Sequence, residues 1–183
     1  GRDNLGYFYR YAGRLDEALN LREEVLQLSR RINGAEHPDT LTATVQVADS
    51  YLDAARNDPA QAEVALKLLE GALPLCRQVN GPEHPATLWA MHHLAAAYFY
   101  AGRRDDARTL QEQVLALSRQ VNGPRHPETL WAMQDLATHY SLAGRRDEAL
   151  DLRQERLKLS RELNGPEHPA TLIAMDYLAA SFI

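Results

Sequence analysis

The sequence predicts an all-α fold, an array of antiparallel helix pairs stacked into a solenoid, and three observations carry that expectation. A long phrase recurs in register, the apolar residues inside each copy follow helical spacing, and each copy is punctuated at matching places by glycine and proline. His-Pro occurs at 37–38, 84–85, 126–127 and 168–169, in steps of 47, 42 and 42 residues. Around it, the run from Asn80 to Met91 returns almost verbatim from Asn122 to Met133 and from Asn164 to Met175. Repetition at a fixed period of this length marks a stacked array, in which no single unit can hide its own apolar face.

Each copy reads as two helices. In the first, Leu88, Met91, Leu94, Ala95 and Tyr98 fall on one face at i, i+3, i+4 and i+7. Pro85 occupies the first turn, where its missing N–H costs nothing, and Thr87 adds a polar group near that end. Gly102 closes the helix, since glycine enters the left-handed C-cap conformation without a Cβ penalty. In the second helix Ala107, Leu110, Val114 and Leu117 make the buried stripe, and Ala18, Leu21, Val25 and Leu28 repeat it. Asn-Gly at 33–34, 80–81, 122–123 and 164–165 closes the second helices, with Pro82, Pro124 and Pro166 barring continuation. Nine helices are expected, near 1–12, 14–32, 38–56, 60–79, 85–101, 104–121, 127–143, 146–163 and 169–183. They form one array over 1–183, in units of about 1–34 (partial), 35–81, 82–123, 124–165 and 166–183 (partial).

Composition removes several classes of function. The 183 residues are 45% hydrophobic and 25% charged, which supports a packed core and excludes a disordered chain. No apolar run approaches the roughly 20 residues of a membrane span, and no basic-then-apolar leader opens the sequence. A net charge of −5 argues against nucleic acid as a partner. Cys76, the only cysteine, excludes internal disulfides and points to a reducing, cytoplasmic setting. No nucleophile–base set, phosphate loop or metal-ligand spacing is present, so neither catalysis nor a cofactor nor a metal is expected.

Tyr98 followed by Ala101-Gly102-Arg103-Arg104-Asp105-Asp106-Ala107 returns at Tyr140 to Ala149, and a third copy spans Tyr9 to Ala18. A helix carrying this Tyr, then Gly-Arg-x-Asp-Glu-Ala and an amphipathic second helix, resembles the tetratricopeptide repeat. The 42-residue period with His-Pro-x-Thr-Leu between units is similar to the kinesin-light-chain type of that repeat. The resemblance implies a right-handed superhelix whose concave surface, lined by the first helices, takes a peptide segment, and it implies no catalysis. The second unit departs from the pattern. It is five residues longer, replaces the Gly-Arg-x-Asp turn with Ala55-Arg56-Asn57-Asp58-Pro59, and carries Gly71 and Pro74 inside its second helix, which predicts an altered stacking angle there.

Taking the framework positions as buried, the inner rows expected to meet a ligand are Thr42, Val45, Asp49 and Leu52, then Trp89, His92, Ala96 and Phe99, then Trp131, Gln134, Thr138 and Ser141. The ends add Asp3, Tyr7 and Arg10, and Ile173, Asp176 and Ala180. Segments 37–55, 84–102, 126–144 and 168–183 hold no Lys or Arg, so the groove is expected to be apolar to mildly acidic. That argues against inward basic residues gripping a terminal carboxylate, and favours a neutral, apolar or basic segment anchored on Trp89 and Trp131. Both tryptophans could instead pack on the preceding second helix, and both readings stay open. The four His-Pro histidines read as caps and not ligands, and Cys76 as a small packing residue. Arg103, Arg104, Arg145 and Arg146 are expected to pair with nearby acids. The competing role is structural: a sensor or oligomerisation arm of a larger protein, self-associating through apolar residues of its end helices such as Leu178 and Phe182.

Overall fold

Backbone capping by the repeated phrase decides where each first helix starts. The computed structural model describes residues 15–56 and 58–182, and among them are eight α-helices and no strand. They are α1 (Leu15–Asn33), α2 (Pro38–Ala54), α3 (Ala60–Asn80), α4 (Pro85–Tyr100), α5 (Arg104–Asn122), α6 (Pro127–Leu142), α7 (Arg146–Asn164) and α8 (Pro169–Ala179). The helix expected over 1–12, with Asp3, Tyr7 and Arg10, lies outside the described residues. The last helix ends at Ala179, short of the expected 183.

His37, His84, His126 and His168 are N-caps. Each imidazole Nδ1 accepts from the backbone N–H two residues on, at 3.2 Å for Asp39, Ala86 and Glu128 and 3.1 Å for Ala170. The ring thus serves as the Ser or Asp of an ordinary cap, and the proline that follows sits where no amide is needed. Behind it, Thr87 is fully buried, with Oγ1 3.1 Å from the Cys76 carbonyl and 2.8 Å from that of Gly81. Thr129 repeats this on Ser118 and Gly123, and Thr171 on Ser160 and Gly165. A hydroxyl of the first helix therefore staples the carbonyl end of the second helix before it. Gly81 can turn there only because its φ of +96° carries no Cβ penalty.

The contacts divide the chain into two units, Gly1–Ala107 and Arg108–Ile183. In the first, α2 packs against α1, α3 and α4, and α3 also packs on α4. Leu26, Ala43 and Val47 form a buried cluster, flanked by Leu19, Val25, Tyr51 and Leu68. In the second unit α7 packs against both α6 and α8. Leu130, Met133 and Leu136 of α6 are buried there, with Met133 wholly so.

The longer second repeat has its own helix start. Asp58 Oδ1 accepts from the Ala60 N–H at 3.1 Å, so an aspartate outside the helix caps α3 in place of the lost turn. Helix α3 then runs unbroken through Gly71 and Pro74. Both residues are exposed, whereas Leu69, Ala72, Leu73 and Cys76 are buried. On the solvent side, water can serve a carbonyl that proline leaves without an amide.

Candidate functional site

The first unit presents two first helices, α2 and α4, in mutual contact. Helix α4 holds no charged residue, and its apolar side chains run right round the axis. Such a helix must be covered on several sides or offer apolar surface. Leu88, Met91, Leu94 and Ala95 are buried, while Trp89, His92, Ala96 and Phe99 remain half-buried along one row. On α2, Thr42 and Asp49 are half-buried, and Val45 and Leu52 belong to the core at 1% and 5% exposure. The α4 row is thus the accessible part of this face, and Val45 and Leu52 are not.

Polar groups fix this face from beneath. The rings of Trp89 and His93 meet edge-on at 4.9 Å, and His92 meets His93 at 5.3 Å. His93 Nδ1 lies 3.7 Å from Asp49 Oδ1, an ion pair when the imidazole is protonated. Asp49 Oδ2 accepts from Arg22 Nη1 at 3.1 Å, and the same nitrogen donates to the Gln46 carbonyl at 2.8 Å and to Ser50 Oγ at 2.7 Å. Asp49 is therefore charge-compensated by a guanidinium from α1. His93 escaped the sequence reasoning as a site residue, because it sits one position off the inner row.

The second unit arranges its residues differently. Trp131 is more than half exposed, and Thr138 and Asp176 are exposed. Gln134 is buried at 3%, its Oε1 accepting from Arg156 Nη1 at 3.4 Å. Arg156 Nε donates to the Leu130 carbonyl at 3.1 Å, and its guanidinium lies 5.8 Å from the Trp131 ring centre and 5.7 Å from that of Tyr177. Burial pushes the pKa of Arg156 and Arg153 down, though both remain charged. The absence of Lys and Arg from the first helices thus does not empty these faces of positive charge, because second-helix arginines pass beneath them.

Outside these faces, the repeated Gly-Arg turns are structural. Arg103 lies 4.2 Å from the Tyr98 ring centre and pairs with Asp106 at 2.7 Å and Glu70 at 3.1 Å. Arg145 lies 4.2 Å from the Tyr140 ring and pairs with Glu148 and, at 3.5 Å, with Glu112. Cys76 is 1% exposed and burial pushes its thiol pKa up, which suits a packing residue. Among the described residues no group of three or more His, Cys, Asp or Glu could hold a metal ion, and no helix is long and apolar enough to cross a membrane.

The tetratricopeptide repeat description matches residues 2–63, 61–119 and 92–162. The chain belongs to the tetratricopeptide repeat family. It is also similar to solved kinesin-light-chain-like repeats. A putative kinesin light chain of Podosopora anserina with nearly identical TPR-like repeats shares 28% identity over 99% of this chain and 83% of that one, with a TM-score of 0.81. A point variant of that protein superposes at 0.83, with the same identity and coverage. BtubC (BKLC) of P. vanneervenii shares the fold at TM-score 0.73 and 17% identity, covering 92% of this chain and 65% of that protein. No curated protein matches the chain. Tetratricopeptide arrays are generally non-enzymatic scaffolds for protein partners, and the family supports that class of role here.

Proposed function

We propose that the first unit binds a polypeptide segment on the α2–α4 face, with Trp89, His92, Ala96 and Phe99 as the contact row. The observation that carries this reading is a half-buried, uncharged aromatic row on a helix already packed on its other sides. Its base is fixed by the Trp89–His93–Asp49–Arg22 chain, so little ordering cost remains to be met on binding. The ligand is neutral, apolar or basic, because α4 carries no charged residue and α2 carries no Lys or Arg, while the guanidinium that reaches this face, Arg22, is already taken by Asp49. Trp131 offers a second exposed aromatic anchor on the other unit, where α6 and α8 also expose Thr138 and Asp176. A cytoplasmic, reducing setting accords with the unpaired thiol of Cys76.

Phage-displayed random peptides selected on the intact chain test this. Apolar or basic sequences that lose binding to Trp89→Ala and to His92→Ala support the reading. Enrichment of acidic sequences on this face, or binders indifferent to both substitutions, would refute it.

A second reading is that the exposed face of α8 meets a partner surface, either another copy of the chain or a further helix in register. Leu172 and Met175 of α8 are 50% and 40% exposed, whereas Leu130 and Met133, their counterparts in α6, are 7% and 0% exposed. Phe182 is 70% exposed. Scattering mass that rises with concentration, and falls in a Leu172→Gln, Phe182→Gln variant, supports another copy; a constant monomer mass removes that occupant.

A further inference from the structure

Asn-Gly pairs close the second helices at 33–34, 80–81, 122–123 and 164–165, and each asparagine is the last residue of its helix. Asn-Gly is the pair in which a side-chain amide is most easily lost, since glycine has no Cβ to keep its backbone nitrogen from the asparagine Cγ. In this fold that nitrogen is engaged. The N–H groups of Gly34, Gly81 and Gly123 donate to the Arg30, Arg77 and Arg119 carbonyls at 3.1 Å, and that of Gly165 to Arg161 at 3.0 Å. The asparagine can react only after its last helical turn opens, so its rate of loss reports how firmly that turn is held.

Three of the turns are held by the helix that follows. Thr87 Oγ1 bridges the Cys76 and Gly81 carbonyls, which lie on either side of Asn80 in the chain. Thr129 spans Asn122 in the same way and Thr171 spans Asn164. Gly81, Gly123 and Gly165 are half-buried, and the prolines that follow them restrict the chain further. At the first junction these restraints are missing. Thr40 Oγ1 is buried and has no hydrogen-bond partner among the described residues, and Ala35 stands in place of proline. Every residue from Arg30 to Asp39 is exposed, with Ile32 at 74% against 40% for its counterpart Val79.

We propose that Asn33 is a site of spontaneous deamidation, selected from the four Asn-Gly pairs because its junction lacks the threonine staple. The Gly34 nitrogen loses its proton to water and bonds to Asn33 Cγ; the Cγ–Nδ2 bond breaks and ammonia departs, leaving a succinimide. Water opens that ring at either carbonyl, giving aspartate or isoaspartate. The balance is one amide and one water consumed, one carboxylate and one ammonium ion formed. Either product sets a negative charge at the negative end of the α1 macrodipole. Isoaspartate also lengthens the backbone between residues 33 and 34, which takes the Gly34 N–H away from the Arg30 carbonyl. Conversion therefore frays the end of α1, the helix that carries Arg22 to Asp49. The site does not depend on what the α2–α4 face binds.

The test incubates the intact chain at neutral pH in heavy-oxygen water and maps its peptides by mass spectrometry, with the urea-unfolded chain as reference. Heavy oxygen marks only the amides lost during the incubation. In the folded chain Asn33 converts within about thirtyfold of its unfolded rate, and Asn80, Asn122 and Asn164 convert at least about tenfold more slowly than Asn33. Thr87→Val brings Asn80 toward the Asn33 rate and leaves Asn122, in the other unit, unchanged. The aged chain exchanges the amides of the last turn of α1 faster than an equally aged Asn33→Gln variant. Equal folded-state rates at the four pairs, an Asn33 that stays intact over that window, or an Asn80 still protected in Thr87→Val overturns the proposal. Amide exchange in α1 that ageing leaves unchanged overturns the fraying.

Discussion

Replacing the buried threonine of each first helix by valine keeps its shape and deletes only the hydroxyl, and the structure predicts opposite outcomes at two sites of one unit. Thr87 and Thr40 occupy the same repeat position and are both fully buried. Thr87 Oγ1 serves the Cys76 and Gly81 carbonyls, whereas Thr40 Oγ1 has no partner. The sequence at the two junctions differs in keeping with this: Ala35 stands where the other three have Pro82, Pro124 and Pro166. A net hydrogen bond contributes about 1 kcal/mol, and a carbonyl deprived of its donor adds to the loss. Gly81 still receives the His84 N–H at 3.4 Å, which limits that addition. Thr87→Val is therefore expected to cost about 1–2 kcal/mol. Thr40→Val removes a buried hydroxyl that bonds nothing, so its effect lies between zero and about 1 kcal/mol of stabilisation. Urea unfolding read by circular dichroism measures both, with Thr129→Val as a replicate in the other unit. Equal destabilisation by Thr40→Val and Thr87→Val would refute the staple as the reason for threonine at this position.

Pro74 lies exposed inside α3, so Pro74→Ala restores a helix amide without disturbing packing; set against the entropy proline removes from the unfolded chain, a gain of about 1–2 kcal/mol in urea midpoint analysis is expected. Asp49→Asn leaves Arg22 without its counter-charge at a site where both side chains are about one-seventh exposed, and a loss of about 2–3 kcal/mol is expected, most of it absent when Arg22 is already Met in a double-mutant cycle. Tyr51 donates to Glu23 at 2.5 Å, and that bond, with burial, pushes its pKa up to about 12. Because the folded value exceeds the ordinary one of 10.0, the stabilisation is complete below pH 10 and fades as pH rises through about 12. Burial and a glutamate partner raise Tyr98 and Tyr140 too, so the assay is a difference: tyrosinate absorbance at 295 nm should lose a component near pH 12 in Tyr51→Phe, and that component should move earlier in Glu23→Gln; a titration that neither substitution changes contradicts this.

Helix positions were legible in the sequence because proline, glycine and the His-Pro caps act locally. Each needs only the few residues around it to set a boundary. The histidines could be read as caps for the same reason, since an imidazole directly before Pro at N1 has its Nδ1 within reach of the N2 amide. What local reading missed depends on how far a long side chain reaches. Arg22, Arg153 and Arg156 lie on second helices, which the charge reading of the groove left out, but their side chains reach the neighbouring first helices. A signal was present: the column Arg22, Leu69, Gln111, Arg153 holds a wholly buried leucine in another copy. The inner rows were only partly legible. An inner row is drawn as one stripe, but α2 touches three helices, and Val45 and Leu52 are drawn into the core. Helix α4 keeps its stripe half-exposed, and the aromatic row there is what the sequence marked.

The most direct measurement of the central claim is backbone-amide NMR mapping of a selected apolar peptide on the intact chain. Resonances of Trp89, His92, Ala96 and Phe99 should shift most, with Asp49 and His93 following. Shifts confined to α1 and α3, with the α4 row unmoved, would contradict the account.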